Sequence, residues 1–397
     1  MNDKTLSNIT VLDLTRILAG PYCSMMFADF GANVIKIEKP GVGDDSRIHY
    51  PVINGESAYY MNLNRNKKGI TLDLKSPEGK EIFKKMVAKA DIVLENYRPG
   101  VMDRLGLGYE ELKKINPAIV YGAVSGFGQY GPYSQRPGYD IIGQAMGGLM
   151  STTGWPDSPP TRSGTAISDV MGGISLCVGV LMAYIHARET GIGQMVDVSL
   201  VDSTVSALEI INQIYLNTGR VPTRIGNAYE AAFPYDSFLA KDGYFVLAAG
   251  NQKLFKIVID TIGKPELIEN EKFATNVLRV EHRDELKPLL QEWFIDKEVD
   301  YLVNLFLEKG VPAAPILSID KVAENEHIAK ARQMFLQMNH PKAGPIMITG
   351  NQIKLSETPA TFDVPAPTLG QDTKEVLQEM LGITDEEYYE LRAKNIF

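Results

Sequence analysis

Asp169 is the residue whose surroundings best suit chemistry. It follows Gly164-Thr165-Ala166-Ile167-Ser168, precedes Val170-Met171-Gly172-Gly173, and opens a long apolar stretch that reads as a helix. A carboxylate at a helix start has two physical uses. It can cap the first N–H groups, which stabilises a helix by about 1 kcal/mol. It can also be kept ionised by those N–H groups and the helix dipole and act as a nucleophile, with small neighbours leaving room for a thioester. The local residues leave both uses open.

Other candidates carry less. Cys23 lies near a second expected helix start, where a thiolate is favoured, but a small buried apolar residue is the competing reading. Cys177, in Leu176-Cys177-Val178-Gly179-Val180, reads as packing. His49, His186, His282, His327 and His340 show no metal-ligand spacing and no HExxH, so no metal is expected. There is no Walker loop and no GxSxG elbow. The turn Arg16-Ile17-Leu18-Ala19-Gly20-Pro21 is not GxGxxG, yet a strand–turn–helix there suits a phosphate or an oxyanion.

These residues need elements to position them. Ile9–Leu14 reads as a buried strand, Gly20-Pro21 opens a helix ending near Gly31, and Val34–Ile37 is the next strand. The alternation continues with Ile70–Leu74, a helix capped at Ser76 with Pro77 first, Ile92–Leu94, a helical stretch over Met102–Leu112, and Ala118–Val124. Strand–helix–strand order predicts a parallel α/β unit. Gly143–Gly148 is small and Gly-rich. A helix is expected over Asp169–Arg188, a strand over Met195–Leu200 and a helix over Asp202–Asn217. Thr218–Asp236 reads as a linker. A hairpin over Ser237–Ala249 and helices over Gln252–Ile262, Arg283–Phe294 and Asp300–Glu308 form a smaller α+β unit. One more helical stretch runs from Ser318 to about Gln333. Ile346–Leu355 then looks β, with helices over Asp372–Leu381 and Glu386–Lys394.

The 397 residues are enough for two or three cores. A net charge of −9 disfavours nucleic acid or an anionic membrane as the main partner. No signal peptide is expected from Met1–Ser7, and the best apolar run, Leu176–Ile185, falls short of a membrane span. Two cysteines exclude a disulfide scaffold, and a cytoplasmic location is expected.

The chain resembles the class III CoA-transferases, the group containing the formyl-CoA and carnitine CoA-transferases. The blocks that carry this run through nearly the whole chain: Val11–Leu14, Ala19–Pro21, Gly31–Glu38, Asn64–Lys68, Leu72–Lys75, Glu95–Gly100, Gly138-Tyr139-Asp140, Asp169, Gly191–Gln194, Gly226-Asn227, Gly310–Ala313 and Leu369–Thr373. The resemblance implies that Asp169 attacks an acyl-CoA, passing through an aspartyl anhydride and an aspartyl-CoA thioester. It implies oxyanion donors in the backbone at Leu18 and Ala19, since Leu18 stands where some members carry glutamine. It implies CoA contacts at Ile17, Lys39, Leu72, Lys75, Asn96, Tyr97, Arg98 and Arg104, with Arg136 one position from the family's basic residue. Tyr139, Asp140 and Glu230 would meet the acceptor acid, although Glu230 also reads as an exposed loop acid. Tyr59, Tyr60, Tyr139 and Tyr229 could line an acid pocket or pack in the core. The segment Gly226–Ala232 has one glycine where some members have a glycine-rich covering loop. CoA and acyl-CoA are substrates here, and no permanently bound cofactor is implied.

The fold implied is an α/β Rossmann-like large domain with a smaller α+β domain, in an interlocked-ring homodimer. The boundaries expected are 1–217 with 336–397, a linker at 218–236, and 237–335. The α-methylacyl-CoA racemases are similar, but they pair the aspartate with a histidine where this chain has Tyr139, and a phenol with a pKa of about 10 is a poor base at neutral pH. A CoA-binding protein without catalysis, or a hydrolase, are the other readings.

Overall fold

Six short segments rich in Val and Ile form one sheet: β1 (Thr10–Asp13), β2 (Asn33–Glu38), β3 (Lys68–Thr71), β4 (Ile92–Glu95), β5 (Val120–Ser125) and β6 (Met195–Ser199). The computed structural model describes residues 4–397. All five pairings are parallel, with Leu12 opposite both Ile35 and Val93. The order is β3-β2-β1-β4-β5-β6. In such doubly wound sheets the direction of winding reverses between the first and fourth strands, and ligands bind outside the carboxyl ends there.

Parallel strands need helices on both faces, and successive residues of β1 show it. Val11 packs with Cys23 and Phe27 of α1 (Ala19–Asp29). Leu12, on the other face, packs with Phe83 and Met86 of α2 (Pro77–Val87). Helix α2 is capped as its residues predict: the Ser76 hydroxyl accepts the Gly79 N–H, with Pro77 in the first turn. The expected helix over Met102–Leu112 is two, α3 (Val101–Leu105) and α4 (Tyr109–Ile115), because Gly106 takes a left-handed φ of 72°. The Gly-rich stretch is partly helical, as α5 (Asp140–Met146).

The long helix α6 spans Ile167–Thr190, 24 residues with a mean hydropathy of 1.8 over its most apolar window. It is therefore long and apolar enough to cross a bilayer, which corrects the shorter run expected from the sequence. Here Leu176, Cys177, Val180 and Ala183 pack beneath the sheet with α1. Val178, Met182 and Ile185 form a second stripe, 46%, 66% and 59% exposed.

The chain divides into two compact units. The first holds the sheet: the described residues to Gly147, Ser163–Ala207 and Glu326–Phe397. The second is Gly148–Arg162 with Leu208–Asn325. The expected breaks are near 217, 236 and 335. Packing draws them elsewhere: 148–162 and 208–236 join the second unit, and 326–335 the first. In the second unit, β7 (Tyr235–Leu239), β8 (Tyr244–Ala248) and β9 (Ala313–Pro315) form an antiparallel sheet. Phe238, Phe245 and Phe306 surround Phe294 edge-on, with ring centroids 5.1–5.9 Å apart. Arg279 is fully buried there and donates to the carbonyls of Phe233, Gly250 and Phe273.

Candidate active site

A cleft of about 170 Å³ opens at the carboxyl ends of β1, β4 and β5. Its walls are Arg16–Ala19 after β1, Asp45, Asn96–Pro99 after β4, Val124–Gly126 at the end of β5, Arg136–Tyr139 ahead of α5, and Asp169 with Leu200.

Asp169 is the third residue of α6, and Ala166 is the N-cap. The capping reading is therefore overturned. The acceptor for this helix end is Asp140, whose Oδ1 takes the N–H of Ser168 at 2.9 Å and that of Asp169 at 3.4 Å. Its Oδ2 accepts from Gln144 Nε2 at 2.7 Å. The expectation that helix N–H groups keep Asp169 ionised fails for the same reason: they are turned to Asp140. Burial, and then the neighbouring Asp140 carboxylate, push the Asp169 carboxyl up to about 7. The small neighbours serve packing rather than space. A Cβ on Gly173 would lie 2.6 Å from the Ala19 carbonyl oxygen, and one on Gly172 2.8 Å from Leu200. Gly173 is one turn beyond Asp169, so this close approach of α6 to α1 brings the carboxylate to the start of α1.

Leu18, just before α1, and Ala19, its first residue, both line the cleft. Leu18 is the N-cap residue of α1 without a side-chain cap. Ile17, also in the wall, has a φ of 69°, a conformation rare for a β-branched residue.

Of the other expected contacts, Tyr97, Arg98, Arg136 and Tyr139 line the cleft. The Arg136 guanidinium lies 3.7 Å from the Tyr133 ring centroid, and that of Arg16 5.4 Å from Tyr97. Buried Glu95 accepts the Tyr97 N–H at 2.6 Å, and burial pushes its carboxyl up to about 8. Asn96 also lines the cleft, but both its polar atoms bond the backbone of Arg16, at 2.8 and 2.7 Å. Lys39, Lys75 and Arg104 are exposed outside the cleft, after β2, after β3 and within α3, all on the carboxyl side of the sheet. Leu72 does not fit the contact implied for it. It is 2% exposed in the core and its N–H bonds the Glu38 carbonyl, so its side chain offers a ligand no surface.

Glu230 is in the second unit, where its nearly buried side chain pairs with Arg220 at 2.8 Å, so it is not an exposed loop acid. Tyr229 is there too, against Tyr235, and Asn227 donates to Ser237 Oγ at 2.9 Å. Tyr60 is buried against Arg47 and Glu38 rather than lining a pocket. Tyr59 is the tyrosine that feels Asp169: burial and then that carboxylate keep its hydroxyl protonated. Cys23 is fully buried and burial pushes its thiol well up, which fits packing and not a thiolate.

Sequence reasoning missed Asp44 and Lys36. Lys36 Nζ donates to Asp44 Oδ2 at 2.8 Å with both side chains fully buried. The available signal was a lysine inside the apolar run Val34-Ile35-Lys36-Ile37, since a buried lysine requires a partner.

Comparison with known proteins gives the family. A family model described as CoA-transferase family III matches residues 6–373. Human succinyl-CoA:glutarate CoA-transferase is 39% identical over 396 residues, covering 100% of this chain and 90% of its own. Acetyl-CoA:oxalate CoA-transferase of Acetobacter aceti is 42% identical over 349 residues, 88% of each chain. Among solved structures, a CAIB/BAIF family protein from Brucella suis superposes with a TM-score of 0.82 at 36% identity, covering 95% of this chain and 100% of that one.

Proposed function

This chain belongs to CoA-transferase family III and is a CoA-transferase, and on that premise we propose that Asp169 carries CoA from an acyl-CoA to a free carboxylate. The supporting observation is that Asp169 and the start of α1 line one cleft at the switch point of the sheet.

In this reading an Asp169 oxygen attacks the acyl carbonyl, the C–S bond breaks, and CoA thiolate leaves a mixed anhydride. The thiolate then attacks the Asp169 carbonyl carbon and expels the donor acid, giving an aspartyl-CoA thioester. An acceptor carboxylate attacks that thioester, forming a second anhydride and freeing the thiolate again. The thiolate takes the acceptor's acyl carbon, and the C–O bond breaks to restore the Asp169 carboxylate. No net proton moves, and each step is an exchange between activated acyl groups, which is what covalent catalysis supplies. The Leu18 and Ala19 N–H groups would hold each oxyanion. Lys39, Lys75 and Arg104 would hold CoA phosphates by charge.

The relatives' names point to succinyl- or acetyl-CoA as donor and a short dicarboxylate as acceptor. Arg98 and Arg136 in the wall suit a second carboxylate, whereas Arg16 is already paired with Asp45 at 2.9 Å. Tyr139 in place of a basic histidine weighs against the racemase reading. We also read the enzyme as a homodimer, since the stripe of Val178, Met182 and Ile185 on α6 is left exposed in one chain.

The test is mass spectrometry of protein trapped with hydroxylamine or borohydride during turnover. The adduct is expected on Asp169, and Asp169→Ala is expected to lose about 10⁴-fold or more in kcat. An adduct on another residue, or full exchange by the alanine variant, would overturn the mechanism. A screen of both donors against glutarate, oxalate and related acids assigns the substrates.

A further inference from the structure

The backbone N–H groups of the turn after β1 can be followed one at a time. That of Thr15 is taken by Asp13 Oδ1 at 2.9 Å, that of Arg16 by Asn96 Oδ1 at 2.8 Å, and that of Ile17 by Asp44 Oδ1 at 3.1 Å. The carbonyls of Thr15 and Arg16 are held too, by Lys36 Nζ at 2.8 Å and Asn96 Nδ2 at 2.7 Å. The next two N–H groups, of Leu18 and Ala19, have no protein partner among the described residues, and both residues line the cleft with Asp169.

The change from bonded to unbonded donors falls at Ile17, with its φ of 69°. A β-branched residue does not hold that conformation unless its surroundings impose it. The surroundings here are fixed. Asp44 Oδ1 also accepts the N–H and hydroxyl of Ser46, at 2.9 and 2.8 Å. Its other oxygen is bound to Lys36 at 2.8 Å. Burial pushes the Asp44 carboxyl up, but the Lys36 ammonium and the hydrogen bonds from Lys36 and Ser46 together outweigh it and hold the group well below the usual carboxylate range. Asn96 is anchored directly after β4.

We propose that Asp44 and Asn96 are positioning residues for the transferase reaction: they clamp Ile17 in its left-handed conformation and so aim the Leu18 and Ala19 N–H groups at the oxyanion. This rests on the reading of Asp169 as the nucleophile. It gives Asn96 a task other than the CoA contact that the family resemblance implies, because both of its polar atoms are already bonded to Arg16.

Asn96 is partly exposed, so its variants should fold. Asn96→Ala is expected to lower kcat by about 10²-fold, comparable to loss of one oxyanion donor, with KM for acyl-CoA changed less than about 3-fold and the melting temperature nearly unchanged. Asn96→Asp keeps the acceptor for the Arg16 N–H and should recover part of that loss. The decisive measurement is a double-mutant cycle with Ile17→Gly, because glycine enters the left-handed region without a clamp. Asn96→Ala should then cost several-fold less in the Ile17→Gly background. Equal cost in both backgrounds, or a raised KM with unchanged kcat, overturns the clamp. Trapping on Asp169 in the unaltered enzyme separates the two ideas: an adduct there with a failed cycle removes only the clamp, and no adduct there removes both.

Discussion

Burial, and then the Asp140 carboxylate, push the Asp169 carboxyl up to about 7, so its titration falls in the neutral range. Only the ionised form attacks a thioester, so kcat/KM should rise with pH along an acid limb centred near 7, measured on the free enzyme at low substrate. The sign of the coupling gives a second check. Asp140→Asn removes the neighbouring negative charge, which favours the ionised form, so the limb should move to lower pH. The move should be less than the full shift, since burial is the larger cause. A limb that stays in place, followed by rate against pH in both proteins, would show that Asp140 is electrostatically silent. The same raised pKa works against folding at higher pH: the stability contributed by Asp169 is fully present below about 3.8, its ordinary value, and is lost as pH rises to about 7.

Two elements meet at the site, and their approach depends on one missing methyl group. Gly173 lets α6 come within contact of the Ala19 carbonyl. Gly173→Ala would place a Cβ 2.6 Å from that backbone oxygen, which cannot rotate away as a side chain could. The helices must separate, which destabilises by about 1–3 kcal/mol as other overpacked contacts do. Activity should fall more steeply than stability, because Asp169 and the α1 donors shift together. Denaturant unfolding and kcat, measured on the same preparation, test this. A variant as active as the parent would mean that the spacing of α1 and α6 is not critical.

For the whole molecule, the exposed stripe on α6 sets the expectation. Val178, Met182 and Ile185 lie one turn apart along one face, and a patch of this kind on a stable protein is commonly covered by a partner. Light scattering is expected to give a mass of twice the 43.9 kDa chain. Met182→Asp with Ile185→Asp should weaken the association, since two carboxylates would have to be buried in it. A monomeric parent protein would remove the dimer reading.

The sequence determined the alternation of strands and helices, the cap at Ser76, the family and the position of its aspartate. All of these are local: hydrophobic period, capping chemistry and short blocks of residues are written in consecutive positions. What it could not decide was what those residues meet. The acceptor at the start of α6 is Asp140, 28 residues before Ser168, and Asp169 is left free of that duty. The left-handed Ile17 depends on Asp44 and Asn96, 27 and 79 residues away in the chain. Glu230 pairs within the second unit, and Leu72 lies in the core. Each is a tertiary contact that no neighbouring residue signals: the crossovers of the parallel sheet bring Asp140, Asp44 and Asn96 to their partners, and Glu230 meets Arg220 within the second unit.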